Sequence, residues 1–221
     1  MPTYIQKSSA QLQSAPGADK ILEKTGTSEL GIVLDQSGSM SSLINETIAG
    51  FNGLIDEQRS LEARPANCSL GLFNNTVKMS YEAVPITDVA PLTRESYQPD
   101  GGTALNDAIA SMIHSIGKRT RRSTRVLIAI LTDGEENSSR KFSVSDIRQM
   151  IAYRRGVHGW QFIFIGPPEA GPYALWIGIP KSNVASLRAD GAGITAIMAQ
   201  LSGSVKAYRL GDKNFALMLK G

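Results

Sequence analysis

Three separated pieces of this 221-residue chain carry oxygen-bearing side chains that could share one divalent cation. The first is Asp35-Gln36-Ser37-Gly38-Ser39, in which Asp, Ser and Ser alternate across a tight loop that Gly38 allows to bend back. The second is Thr103, after Gly101-Gly102; the third is Asp133, between Thr132 and Gly134. A donor set of carboxylates and hydroxyls, without imidazole or thiolate, suits a hard cation. Mg2+ fits best, since it wants an octahedron at about 2.1 Å and keeps water ligands readily; Mn2+ and Ca2+ are its natural substitutes. The plain alternative for Asp35–Ser39 is a turn whose Asp and Ser cap the next helix. Thr103 and Asp133 weigh against it, because a capping turn needs neither.

The surrounding elements must bring these pieces together. Glu29–Asp35 is a short apolar run that ends on a carboxylate, and Arg125–Leu131 is a longer one that runs into Thr132-Asp133-Gly134. Gln161–Ile165 is a third, ending at Gly166. Continuous runs of this kind read as parallel strands buried on both faces. Ile44, Ile48, Phe51 and Ile55 recur at helical spacing after Ser41-Ser42, which can supply an N-cap. Leu105, Ile109, Met112 and Ile116 form a second helical face closed at Gly117. Ser143 and Asp146 form a capping-box pattern opening a third helix through Ile147 and Ile151 that closes near Gly156. Ile194, Ile197, Met198 and Leu201 mark a fourth, and the chain from Val205 reads either as its continuation or as a hairpin around Gly211–Asn214. Cys68–Phe73 and Thr76–Tyr81, joined by Asn74-Asn75, read as an edge hairpin. Pro85, Pro91 and Pro99 then mark a surface loop leading to Gly101. The expected fold class is α/β, doubly wound, with a mostly parallel sheet, one antiparallel edge strand and helices on both faces. In such a sheet the site lies at the carboxyl ends of the strands, where all five donors can meet.

With those residues in place, the sequence resembles the von Willebrand factor A family, whose metal-ion-dependent adhesion site is Asp-x-Ser-x-Ser, a distant Thr and a distant Asp. The resemblance covers roughly residues 29 to 209. Ala49–Gln58 and Pro99–Leu105 look like the compact, stand-alone intracellular members of bacteria and their phages. The resemblance implies a Rossmann-like sheet, Ser37, Ser39 and Thr103 as direct metal ligands, and Asp35 and Asp133 binding directly or through water. It also implies non-catalytic, Mg2+-dependent recognition of a protein partner whose Asp or Glu completes the metal's coordination. The alternative is a regulatory accessory subunit of an ATPase, kinase or phosphatase in a bacterial stress-response or anti-phage system.

Composition sets the outer bounds. With 42% hydrophobic and 19% charged residues, the chain has enough apolar material for one sizeable core, expected over 29–209. A Gln-, Ser- and Gly-containing arm is expected over 1–28, and a tail over 210–221. One cysteine cannot form an internal disulfide, and the N-terminus lacks the blocks of a signal peptide, so the cytosol is the default compartment. No apolar run approaches the roughly 20 residues a bilayer needs. A net charge of +3 does not by itself call for nucleic acid. The cationic cluster Lys118, Arg119, Arg121, Arg122 and Arg125 reads as a solvated connection, with nucleic-acid backbone as its other reading. Haloacid-dehalogenase-type phosphotransfer needs a second carboxylate two residues after the first, and position 37 is Ser. There is no phosphate-loop Gly-Lys-Ser/Thr, and Gly191-Ala-Gly193 reads as a helix start. Cys68 is expected to be a small buried core residue, Trp160 and Trp176 to be packing residues rather than stacking platforms, and His114 and His158 to have surface or packing roles.

Overall fold

The computed structural model describes residues 26–61, 64–121 and 123–219, so residues 1–25 of the expected arm lie outside the described residues. Six strands form one sheet: β1 (Ser28–Asp35), β2 (Ala66–Phe73), β3 (Val77–Pro85), β4 (Arg125–Leu131), β5 (Gln161–Gly166) and β6 (Val184–Ser186). Their spatial order is β3-β2-β1-β4-β5-β6, parallel throughout except for the β2/β3 pair at one edge. Two-residue alternation sends successive side chains to opposite faces. Leu30, Ile32 and Leu34 of β1, and their β4 neighbours Leu127, Ala129 and Leu131, enter one core. Val33, Val126, Ile128 and Ile130 enter the other.

Each core is closed by helices on its own side. Phe51, Leu54 and Ile55 of α1 (Ile44–Arg59), with Ile194, Ile197, Met198 and Leu201 of α5 (Gly191–Leu210), cover the first face. The second is covered by α2 (Leu105–Gly117), α3 (Val144–His158) and the short α4 (Gly171–Trp176). The doubly wound α/β reading therefore holds. Its consequence for the site is topological: after β1 the chain crosses to β2, whereas β4 lies on β1's other side. The carboxyl ends of β1 and β4 thus flank the crevice where strand order reverses, the place such sheets bind ligands.

Several local expectations are corrected. Ser41-Ser42 does not cap α1. The chain instead makes a 3-10 turn over Gly38–Leu43, in which the Ser41 hydroxyl donates to the Gly38 carbonyl at 2.6 Å. The capping box at Ser143 and Asp146 is present, but α3 runs past Gly156 and stops at Gly159, whose φ of 69° makes the left-handed cap. The stretch 171–187, unassigned from sequence, supplies α4 and edge strand β6. After Val205 the chain continues α5 to Leu210 rather than forming a hairpin, and a final 3-10 turn, Phe215–Leu219, returns Phe215, Ala216 and Leu219 to the first core. Trp160 is fully buried, but Trp176 is 62% exposed and is not a packing residue. Cys68 is buried in β2, where burial pushes its thiol up to about 12.

The cationic cluster is not uniformly solvated. Arg119 reaches inward to pair with Glu29 at 3.2 Å and to donate to the Ser69 hydroxyl at 2.6 Å. Arg125 is buried, its guanidinium 4.8 Å from the Tyr208 ring centroid and donating to the Tyr208 carbonyl. Lys118 and Arg121 are exposed, and Arg122 lies outside the described residues. No helix among the described residues is long and apolar enough to cross a membrane.

Candidate metal centre

Asp35 is the last residue of β1, and Asp133 stands two residues beyond the end of β4. Parallel pairing of the two strands therefore brings both aspartates to the same end of the sheet. The Ser37 and Ser39 hydroxyls lie 3.0 Å apart, and Ser39 donates to Asp133 Oδ1 at 2.7 Å. Asp35 sits beneath them with no exposure, Ser37 and Thr103 are buried, and Ser39 is exposed at the rim. Thr103 comes in from the loop before α2. Its hydroxyl is close enough to Gly134 that a Cβ on that glycine would stand 3.4 Å from it.

The backbone of these loops is laced together, which fixes the side chains they carry. Gly38 N–H donates to the Gly101 carbonyl at 3.0 Å, and Asp100 N–H to that of Gln36 at 3.0 Å. Ala104 N–H donates to Asn74 in the β2/β3 turn at 2.7 Å. Gly102 is required by close approach: a Cβ there would stand 2.2 Å from Ser138 Oγ and 2.8 Å from both Asn137 Oδ1 and Asn75 Oδ1.

The electrostatics of the floor are set by burial. Desolvation pushes the Asp35 carboxyl up to about 6, although hydrogen bonds from Thr132 (2.5 Å), and from the Ser37 side chain and N–H (2.7 Å), pull the other way. A buried carboxyl whose charged form is this costly is one that a nearby cation relieves. Among the described residues there is no group of three or more His, Cys, Asp or Glu side chains able to hold a metal. Hydrogen bonds link Asp35, Ser37, Ser39 and Asp133, Thr103 stands beside Gly134, and carboxylates with hydroxyls are the donor chemistry that suits a hard, partly hydrated cation.

Sequence reading missed the residues that hold the candidate site side chains in place. Thr132 orients Asp35 from behind; a hydroxyl closing an otherwise apolar strand was the available signal. Tyr97 is buried and donates its hydroxyl to the Asp35 carbonyl at 2.6 Å; burial pushes the phenol's pKa up, so it stays a donor. Its proline-punctuated segment gave no sign of this. Asn137 Oδ1 accepts the Thr103 N–H at 2.9 Å, and Asn75 Oδ1 that of Gly102 at 2.9 Å. Glu136 accepts from the N–H groups of Asn106, Ser138 and Ser139, and Asp107 from those of Arg140, Lys141 and Phe142. Together they staple the loop after β4 to the first turn of α2.

No family model and no curated protein matches the chain. Solved structures do. Proximal thread matrix protein 1 from the mussel byssus is similar over 80% of this chain and 47% of its own, at 14% identity and TM-score 0.61. A von Willebrand factor type A protein from Catenulispora acidiphila matches over 86% of this chain and 43% of its own, at 16% identity and TM-score 0.55. The manganese-loaded TRAP protein of Plasmodium vivax matches over 76% and 71%, at 18% identity and TM-score 0.51. The chain spans about half the length of the first two, or somewhat less. At these identities the likeness is one of architecture: the chain has a von Willebrand factor A-like α/β fold.

Proposed function

We propose that this chain is a non-catalytic recognition module in which Ser37, Ser39 and Thr103 hold Mg2+ directly and Asp35 and Asp133 hold it directly or through water. The observation that carries this reading is the hydrogen-bonded series Ser37, Ser39 and Asp133 standing over the buried Asp35 carboxyl at the crevice between β1 and β4. A bound Mg2+ supplies an electrophilic coordination position that a partner's Asp or Glu carboxylate fills. The chain's own residues set how strong that attraction is. With the three neutral hydroxyls as direct ligands and the two carboxylates behind water, the cation's charge would be left largely uncancelled; Thr132 and the Ser37 N–H hold Asp35 in place, and the exposed Ser39 and half-buried Asp133 leave the outer face accessible. The manganese in TRAP belongs to that protein, and it supports the reading only as a metal-loaded example of the same architecture.

The test is Mn2+ binding followed by electron paramagnetic resonance, with Mg2+ as competitor. Wild type should bind one ion that Mg2+ displaces, and Asp133→Ala and Ser39→Ala should lose it while keeping the wild-type circular dichroism spectrum. Partner capture should then depend on Mg2+ and fail in chelator. An Asp133→Ala protein that binds Mn2+ like wild type refutes the assignment.

A further inference from the structure

Beside the candidate metal centre, a cleft of about 550 Å³ opens between the loop after β4, the start of α3 and the segment from β5 to α4. Leu105, Val144, Tyr173 and Trp176 give it an apolar wall, and Glu135, Glu136 and Glu169 supply carboxylates. The three carboxylates are not equivalent. Glu136 is consumed by the backbone N–H groups it accepts, and Tyr173 is held by donating its hydroxyl to Asn106 at 2.7 Å. Glu135 and Glu169 are exposed, and none of the ion pairs among the described residues involves them. Trp176 presents its indole to solvent from the same wall, with Leu175 beside it 48% exposed.

From this cleft we infer a binding site for an arginine-bearing apolar segment of a protein partner. The charge complementarity is specific in kind. Two unpaired carboxylates favour a cation, an exposed indole favours a planar guanidinium that can stack on it, and the aliphatic wall favours apolar neighbours on either side of that arginine. The loop that carries Glu135 begins at Gly134, directly after Asp133, so a partner seated here lies along the same rim as the candidate metal centre. The cleft's chemistry uses none of the five proposed metal donors, so the inference stands whether or not the ion binds.

The test uses the two tryptophans as internal reporters, one in the cleft and one fully buried. The probes are the capped tripeptides Leu-Arg-Leu and Leu-Glu-Leu, titrated in chelator while the two indole N–H resonances are followed by NMR. Leu-Arg-Leu should shift the Trp176 signal and leave Trp160 in place, with affinity about tenfold above that of Leu-Glu-Leu. Trp176→Ala should abolish the response at the remaining amides of the cleft, and the double variant Glu135→Gln, Glu169→Gln should reduce the arginine preference to near parity. Equal shifts from both peptides, or unchanged binding in the double variant, overturn the inference. Repeating the titration in Mg2+ separates it from the metal reading: the arginine peptide's affinity should not change, whatever the ion does.

Discussion

Burying Asp35 under the hydroxyls has a consequence that can be measured without any partner. Its carboxyl is fully buried and pushed up from 3.8 to about 6, with desolvation as the largest cause. At 1.36 kcal/mol per pH unit, that gap amounts to ~3 kcal/mol as an upper figure. The sign follows from proton counting. Below the unfolded value both states are protonated at this position; as pH rises towards the folded value, the unfolded chain releases its proton first, and stability falls. In chelator the wild type should therefore lose about 2–3 kcal/mol of unfolding free energy between about pH 4 and pH 7, relative to Asp35→Asn, which has no proton to release. The exposed Asp146 and Asp190 carboxyls are held below the usual range by hydrogen bonds from Ser143 and Gly193 respectively, so what they contribute is lost only below that window. Urea unfolding followed by circular dichroism, for both proteins across the pH range, gives the comparison. Saturating Mg2+ should remove most of the wild-type loss, because the cation then compensates the ionised carboxyl, and Mg2+ affinity should rise with pH up to about 6 and level off above it. Parallel stability curves for wild type and Asp35→Asn in chelator would refute the argument, since the burial cost would then be absent.

Other perturbations separate the site from its supports. Gly102→Ala places a Cβ where Ser138, Asn137 and Asn75 already stand, and should lower Mn2+ affinity at least tenfold while costing about 1–3 kcal/mol in urea unfolding. Arg209 is buried and donates to the carbonyls of Gln58 and Leu61 at the end of α1 (2.5 and 3.4 Å) and to that of Arg64. Arg209→Met should therefore destabilise by about 2–4 kcal/mol and leave metal affinity unchanged. Ser143→Ala removes one half of the capping box on α3 and should cost about 1 kcal/mol in thermal unfolding, again without effect on Mn2+ binding.

How much of this was legible in the sequence depends on whether a residue's role was set by its neighbours in the chain or by residues far from it. The β1 and β4 runs were readable because burial on both faces demands uninterrupted apolar residues, and Asp35 and Asp133 were readable because a carboxylate at the end of such a run breaks its apolar pattern, even though Asp35 itself stays buried. The 3-10 turn at Gly38–Leu43 was not, because it carries Ser41 and Ser42 inside the turn and leaves Leu43, which has no capping oxygen, at the start of α1. Edge strand β6 has only three residues and pairs with β5 across a long separation, too short to show a period of its own. Trp176 illustrates the opposite error. A large aromatic is assigned to the core by default, yet here the core on that face is already filled by Trp160, Phe162, Phe164 and Ala174, and the indole is left at the mouth of a cleft with two unpaired carboxylates. With 62% of its surface exposed, Trp176 adds little to that core, so Trp176→Ala should change the unfolding free energy by less than about 1 kcal/mol in urea while removing the peptide response of the cleft.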